Sequence, residues 1–316
     1  MEKFTSIVPE SLSGKRLDQV LANLYPQHSR SRLQAWINAG QVKVDNRILR
    51  QKDPVRTGAC IEIIPVFPSR EQCLAEAIPL NILYEDEVIL IINKSPGLVV
   101  HPGAGNPAHT LQNALLFHDT GLAQVPRAGI VQRLDKDTSG IMVIAKTPTS
   151  HTWLVDQLQR RYIKREYQAI VTGVMTAGGT VAAPIGRHPT LRKRMAVSEN
   201  GKPAVTHYRV LKKYPQHTHI SVRLETGRTH QIRVHMNYIH YPVVGDPVYG
   251  GRKRVPKNIT PELRQALLAF PRQALHASAL TLAHPISKQE MSWSAPLPAD
   301  FQSLLTILAD NVQARR

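Results

Sequence analysis

Five apolar runs, at residues 88–92, 141–145, 167–171, 220–224 and 279–282, are strand length and hydrophobic enough to be buried in a sheet. Helical stretches lie between them at about 110–118, 148–160, 229–239 and 300–310. Strands and helices do not alternate regularly, as they must in a doubly wound sheet. The expected fold class is therefore α+β: a large mixed, mainly antiparallel sheet flanked by helices. At 316 residues the chain is too long for one small module, and its pattern changes near residue 65. No apolar run approaches the ~18 residues that a membrane-spanning helix needs. The opening Met-Glu-Lys-Phe-Thr-Ser lacks the apolar centre of a secretory signal. A soluble, cytoplasmic protein is expected. Two cysteines, Cys60 and Cys73, are too few for a disulfide framework or a thiolate metal site.

Residues 1–64 read as a separate small α/β module. Leu17, Val20, Leu21 and Leu24 recur at helical spacing, and a second helix opens at Ser29, turns Leu33, Trp36 and Ile37 inward and stops at Gly40. Val42 and Val44 lead into an Asp45-Asn46 turn, Ile48 follows, and Ile61 and Ile63 form a last strand. Arg30 and Arg32 lie on the polar face of the second helix, and Lys43, Arg47, Arg50 and Lys52 follow on the hairpin. With 40 Lys and Arg against 23 Asp and Glu, the formal charge of +17 favours a polyanionic partner, nucleic acid by default. A basic helix pair beside a hairpin suits the phosphates of folded RNA; the competing reading is a solvated charged face. Residues 65–79 contain three prolines and little periodicity and read as a linker to a domain at 80–316.

Three constellations compete for chemistry. In Arg133-Leu134-Asp135-Lys136-Asp137-Thr138-Ser139-Gly140, two cations crowd two carboxylates at a strand end. A neighbouring cation keeps a carboxylate ionised, as a nucleophile or base requires; an ordinary polar turn has the same composition. A calcium loop fails because its twelfth position is Lys146 rather than Glu. The second constellation, Gly227-Arg228-Thr229-His230-Gln231-Ile232-Arg233-Val234-His235, leaves a strand and enters a helix capped by Thr229, a natural anion site. His230 and His235 are five apart, which is wrong for a zinc helix, so they are expected to pack, cap or touch RNA. The third, Gly103-Ala104-Gly105-Asn106-Pro107-Ala108, nearly matches a dinucleotide fingerprint, but Pro107 interrupts it and no acidic residue follows at the proper place. Two further basic segments, at 187–194 and 252–257, read as arms reaching for phosphates through Arg187, Arg192, Lys193 and Arg194 in the first case.

These motifs together resemble one family. Residues 129–140, Gly-Ile-Val-Gln-Arg-Leu-Asp-Lys-Asp-Thr-Ser-Gly, are similar to the signature of the RluA-type pseudouridine synthases. Asn93-Lys94-Ser95-Pro96-Gly97, Arg165-Glu166-Tyr167, Thr226 to Arg233 and Gln273-Ala274-Leu275-His276-Ala277 follow in the family's order. Within residues 14–64, Gly14-Lys15-Arg16-Leu17-Asp18, Ser29-Arg30-Ser31-Arg32-Leu33 and Gly40-Gln41-Val42-Lys43-Val44-Asp45 resemble the S4 RNA-binding module. The resemblance implies isomerisation of uridine to pseudouridine in RNA without metal or organic cofactor. Asp135 takes the place of the catalytic aspartate. Tyr167 matches the tyrosine that stacks on the target base, Arg228 the arginine paired with the aspartate, and Arg133 a residue that helps displace the base. Gln132 departs from the family, which more often has His there. The implied partner is a stem-loop of large-subunit (23S) ribosomal RNA, free or within pre-50S particles, with several uridines modified. The alternative is an RNA-binding chaperone or ribosome assembly factor with a degenerate catalytic domain, against which the intact Asp135, Tyr167 and Arg228 argue. An RNA glycosidase would want a second positioned carboxylate, for which Asp137 is the nearby candidate.

Overall fold

The computed structural model describes residues 4–26, 28, 30–64, 73–103, 105–191, 194–251 and 259–313, with the backbone alone for Ser31, Arg32 and Gln313. The chain divides into two compact units, residues 1–72 and 73–316.

In the first unit, β1 (Phe4–Ile7), β3 (Cys60–Ile63) and β2 (Val42–Val44) form an antiparallel sheet in the order β1-β3-β2. Against it pack α1 (Leu17–Leu24) and α2 (Arg30–Asn38). The helical spacing read from the sequence is realised: Leu17, Val20 and Leu21 are fully buried, as are Leu33, Trp36 and Ile37. Each such side chain contributes roughly 1.5–3 kcal/mol on leaving water. The strand β1 carried no sequence signal, because its four residues alternate between half-buried and exposed. Ile48 is 62% exposed, so the segment after the Asp45-Asn46 turn is not the second arm of a buried hairpin; β2 pairs instead with the distant β3. Arg30, Lys43, Arg47, Arg50 and Lys52 are exposed. Ser29 and the Arg32 side chain lie outside the described residues.

The second unit is built on a nine-stranded sheet. Its elements are β4 (Ile82–Glu85), β5 (Ile89–Lys94), α3 (Leu111–His118), β6 (Ser139–Ala145), α4 (Pro148–Gln159), β7 (Lys164–Thr172), β8 (Gly179–Ala182), β9 (Ile185–Arg187), β10 (Met195–Val197), β11 (Val205–Lys213) and β12 (His217–Leu224). They continue with α5 (Gln231–Tyr238), α6 (Pro261–Ala269), β13 (Leu275–Ala283), β14 (Glu290–Ser294) and α7 (Ala299–Gln313). The strand order is β4-β5-β6-β13-β7-β12-β11-β8, with β14 also paired to β13, and β9–β10 stand apart as a two-stranded hairpin. Only the β6–β13 pair is parallel among the described strands; the others are antiparallel. All seven residues of β6 are buried, which is why that strand reads as a continuous apolar run. Gly140 (φ 119°) sits where β6 meets β13, and a Cβ there would collide with the Ala277 backbone. Any side chain at that position would open the centre of the sheet.

The two faces of the sheet are differently used. Tyr167 on β7, Val222 on β12 and Tyr208 on β11 are directly opposed and share one face. On that face Thr206 of β11 meets Gln231 and His235 of α5. Gln168 and His219 point the other way, and His219 meets Phe301 of α7. Residues 73–79 are held on this unit rather than free: Asn113 Nδ2 donates to Leu74 O, and the Glu76 carboxylate accepts from His109 N. The remainder of the proline-containing segment, 65–72, lies outside the described residues.

Candidate active site

The loop before β6 is fixed from below. Lys94, the last residue of β5, is 2% exposed, and its ammonium donates to the carbonyls of Ser95, Leu98 and Lys136 at 2.8–3.0 Å. Gly97 N also donates to Lys136 O, Thr138 N closes a turn onto Asp135 O, and Arg272 Nη1 reaches Asp137 O. Gln273 holds the Thr138 hydroxyl. The carbonyls of Lys136 and Asp137 and the hydroxyl of Thr138 are thereby tied to residues at the end of β5 and just before β13, and a turn onto the Asp135 carbonyl closes the loop that carries its carboxylate. Burial pushes the Lys94 ammonium down to about 7, although the charges of Asp137 and Asp135 oppose the shift.

Replacing Lys94 by Met removes this three-way donor. Orphaned carbonyls should cost about 1–3 kcal/mol in urea unfolding, and turnover should fall because the Asp135 loop loosens. The pH dependence carries its own sign. Between about 7 and the ordinary 10.5, the unfolded chain holds a proton at Lys94 that the folded chain lacks. Wild-type stability from this group therefore rises with pH across that window. The gap between wild type and Lys94→Met should widen from pH 7 to 9, and a narrowing gap would contradict it.

The second side of the site comes from β12, the loop after it, and α5. Gln231 is 3% exposed and engages four partners: its Oε1 accepts from Thr226 Oγ1 and Arg228 N, and its Nε2 donates to Val205 O and Thr206 Oγ1. This amide, rather than a Thr229 cap, organises the start of α5. The N-cap position is His230 in a left-handed conformation (φ 57°), and its side chain makes no capping bond. One turn further, Arg233 aims its guanidinium at two carboxylates. Nη1 donates to Asp135 Oδ2 at 2.9 Å, while Nε and Nη2 form a two-pronged pair with Asp246 at 2.7 and 2.9 Å. Asp246 is buried and also accepts from Val248 N and Tyr249 N. Burial disfavours the Arg233 charge, but the bonds with Asp246 and the charges of Asp246 and Asp135 outweigh it and raise the pKa. Burial likewise opposes ionisation of Asp246, and the Arg233 pair and two backbone donors overcome it, lowering its pKa. Asp135 thus faces a permanently charged cation that is oriented by a second carboxylate.

His230 Nε2 lies 3.8 Å from Asp135 Oδ1, and Nδ1 is bonded to Tyr249 OH at 2.8 Å. Tyr249 OH accepts from Met195 N, so its own proton is available to Nδ1, which leaves Nε2–H facing the carboxylate. Burial lowers the His230 pKa, with Asp135 opposing and Arg233 reinforcing the shift. His235 is buried, with Nδ1 on Thr206 and Nε2 on the Ala183 carbonyl. Of the two histidines noted in the sequence, one packs and one faces the carboxylate.

Asp135, Arg233 and His230 border a cleft of about 560 Å³ whose lining also includes Tyr167, Leu275 and Arg165. That volume lies in the ~300–1,000 Å³ range of small-molecule and nucleotide-sized sites. Tyr167 projects from β7 between β13 and β12 and is 7% exposed. Burial raises its phenol pKa, Arg165 opposes the shift and Asp135 adds to it. The ring is therefore a neutral apolar wall next to a charged group.

Other sequence candidates are placed differently. Arg228 borders the cleft, but its Nε donates to Pro203 O at 3.0 Å; the cation on Asp135 is Arg233. Adjacency to the Thr-Gly-Arg motif favoured Arg228, whereas a helix starting at 231 carries Arg233 back onto the loop before β6 where Asp135 sits. Arg133 is exposed at the rim beside Gln132 and His101. Arg187 and Arg194 flank the tip of the β9–β10 hairpin and are exposed. Arg192 and Lys193 of that tip, Ala104 of the glycine-rich loop and the basic segment 252–257 lie outside the described residues. Asp246 and Tyr249 carried no role in the sequence reading; only their burial against Arg233 reveals one.

Residues 88–238 match the family model described as RNA pseudouridylate synthase, and residues 15–60 match that of the S4 domain. A ribosomal large subunit pseudouridine synthase D of Pseudomonas aeruginosa is 56% identical, over 97% of this chain and 96% of its own length. Proteins of the same description from Haemophilus influenzae and Escherichia coli are 55% and 53% identical, over 96% and 97% of this chain and 93% and 94% of theirs. Among solved structures, human RNA pseudouridylate synthase domain containing 4 superposes with a TM-score of 0.58 at 26% identity, over 72% of this chain and 93% of its own. Human RNA pseudouridylate synthase domain containing 1 gives 0.56 at 25%, over 76% and 96%.

Proposed function

The chain belongs to the RNA pseudouridylate synthase family and is an RNA pseudouridine synthase, and on that premise we propose that it isomerises several uridines in one stem-loop of large-subunit (23S) ribosomal RNA, with Asp135 as its catalytic residue. The observation that carries the site assignment is the Asp135 carboxylate held 2.9 Å from buried Arg233, in a cleft that Tyr167 also lines. The reaction breaks the bond between uracil N1 and ribose C1′, turns the base and rejoins it through C5. An ionised carboxylate is needed whether it attacks the sugar or the base or removes a ribose proton. Arg233 holds and aims the Asp135 carboxylate, and Asp246 keeps Arg233 from turning away. The Tyr167 ring offers a face for the detached base, while the apolar floor around Leu275 limits the water that would hydrolyse an intermediate. The target must leave its stack, which costs a few kcal/mol that stacking and phosphate contacts offset. Arg133 at the rim is placed to take the vacated position or to hold the displaced strand. These residues act without an organic cofactor or metal in this reading.

A stem-loop is favoured because loop bases are partly unstacked already, and A-form stems offer phosphates while hiding base identity. The relatives, each a ribosomal large subunit pseudouridine synthase D, support large-subunit RNA, free or in a pre-50S particle, as the partner. A cytoplasmic location follows from that partner; among the described residues no helix is long and apolar enough to cross a membrane. Purified protein offered the large-subunit stem-loop, a transfer-RNA anticodon arm and a small-subunit fragment should release tritium from 5-labelled uridine in the first. Reaction of the transfer-RNA arm alone would remove the substrate assignment.

Exposed Arg30 and Lys43 of the first unit, and Arg187 and Arg194 on the hairpin, are the described cations suited to phosphate contacts. Exchanging Arg30 and Lys43 for Gln together should reduce the slope of log affinity against log salt by roughly 1–2, at 0.7–0.9 per lost contact. Filter binding across a salt series measures it, and an unchanged slope would take this face out of the RNA interface.

A further inference from the structure

One cation in the cleft has no assigned task. Arg165 stands two residues before Tyr167 on β7, so the two side chains share a face and both border the cleft. Its Nε is buried and has no hydrogen-bond partner among the described residues. The other buried or half-buried arginines of the cleft are engaged: Arg233 with Asp135 and Asp246, and Arg228 with Pro203 O. A buried donor left unmade is unfavourable, and native chains seldom keep one without a reason. The neighbouring loop also makes room for this guanidinium. A Cβ on Gly227 would lie 2.9 Å from Arg165 Nη1, and Gly227 does not have the positive φ that would itself demand glycine. The charge of Arg165 also reaches Tyr167, whose pKa it lowers against the effect of burial.

We propose that Arg165 donates hydrogen bonds to a carbonyl oxygen of the target uracil and carries the negative charge of the base while it is detached. The proposal rests on the assignment of Asp135 and Tyr167 as the reacting site. When N1–C1′ breaks, its electron pair remains with the uracil, and the charge spreads from N1 to O2 and O4. The anion must turn through a large angle without leaving before C5 bonds to C1′, the C5 proton departs to a base or to water, and N1 takes up a proton in its place. A stacking ring restrains its plane but not its rotation or escape. A cation beside that ring, on a guanidinium that borders the cleft, stabilises charge that exists only after cleavage, which is the condition for accelerating the chemical step.

The test measures single-turnover tritium release and RNA affinity across a salt series for Arg165→Gln and Gly227→Ala, with urea unfolding to confirm folding. Arg165→Gln should lower the saturated single-turnover rate by about 100-fold, the scale of one donor to a developing oxyanion, with affinity within about threefold and an unchanged salt slope. Gly227→Ala keeps every donor but crowds the guanidinium, and it should lower the same rate. Sulfur in place of the target uracil's O2 or O4 should slow the wild type at one of the two positions and add little to Arg165→Gln. A normal saturated rate with weaker binding and a shallower salt slope would make Arg165 a phosphate contact and overturn the proposal. A normal rate with normal binding would overturn it as well. Asp135→Asn in the same assay separates the two readings: if it stays active the site assignment itself fails, whereas an inactive Asp135→Asn beside a normal Arg165→Gln refutes only the role of Arg165.

Discussion

Asp135→Asn should lower pseudouridine formation by about 10⁴-fold, the scale on which loss of a catalytic carboxylate acts, while the protein should fold and bind RNA nearly as before. The amide keeps the shape, and its oxygen can still accept from Arg233 Nη1, which bonds Asp135 at 2.9 Å in the native chain. What disappears is the negative charge that, on the proposed assignment, attacks the substrate or takes its proton. Asp135 is partly exposed and Arg233 retains both bonds to Asp246, so no buried charge is stranded. Tritium release from 5-labelled uridine, with protein from a host lacking the wild-type gene, measures the loss. More than a few per cent residual turnover would show that another group does the chemistry.

Arg233→Met has the opposite character, since it injures fold and site together. The side chain is 5% exposed and Asp246 is fully buried, so truncation leaves a carboxylate in the interior with only the Val248 and Tyr249 amides for company. Removing one partner of a buried pair costs about 3–5 kcal/mol, readable as a fall in the urea midpoint of the second unit. Arg233→Lys keeps a charge but cannot grip Asp135 and Asp246 at once, because an ammonium lacks the planar fork. It should fold better than the Met variant yet turn over about 10²-fold more slowly than wild type, the magnitude of losing one preorganised donor. Equal activity of Arg233→Lys and wild type would show that orientation by Asp246 is irrelevant.

Sequence pattern found the elements whose burial is one-sided or complete. Strands β5, β6, β7, β12 and β13 and helices α3, α4, α5 and α7 fall within a few residues of the apolar runs and helical stretches. It passed over β8, β11 and β14, where half-buried and exposed residues leave no apolar run. Helix α6 was legible and overlooked: Thr260 caps Leu263 N, and Pro261 opens the first turn. Ile48 shows the limit of reading a hairpin from a turn, because the partner of β2 is a strand nearly twenty residues away.

By itself the sequence determined the α+β class, the RNA pseudouridine synthase family and the loop that bears Asp135. Those properties live in contiguous residues, in periodicity and in ordered motifs. Only the tertiary structure decided which cation serves that carboxylate. Asp135 and Arg233 are 98 positions apart, and their meeting depends on β12 lying two strands from β13 and on α5 returning along the sheet. Arg228 and Arg233 both lie in the same nine-residue motif, and composition cannot rank them. The αL turn at His230 does so, because it sends Arg233 inward to Asp135 and Asp246 and leaves Arg228 on a backbone carbonyl. Charge pairing in a folded chain is a matter of direction and burial, and neither is a property of a residue's neighbours in sequence.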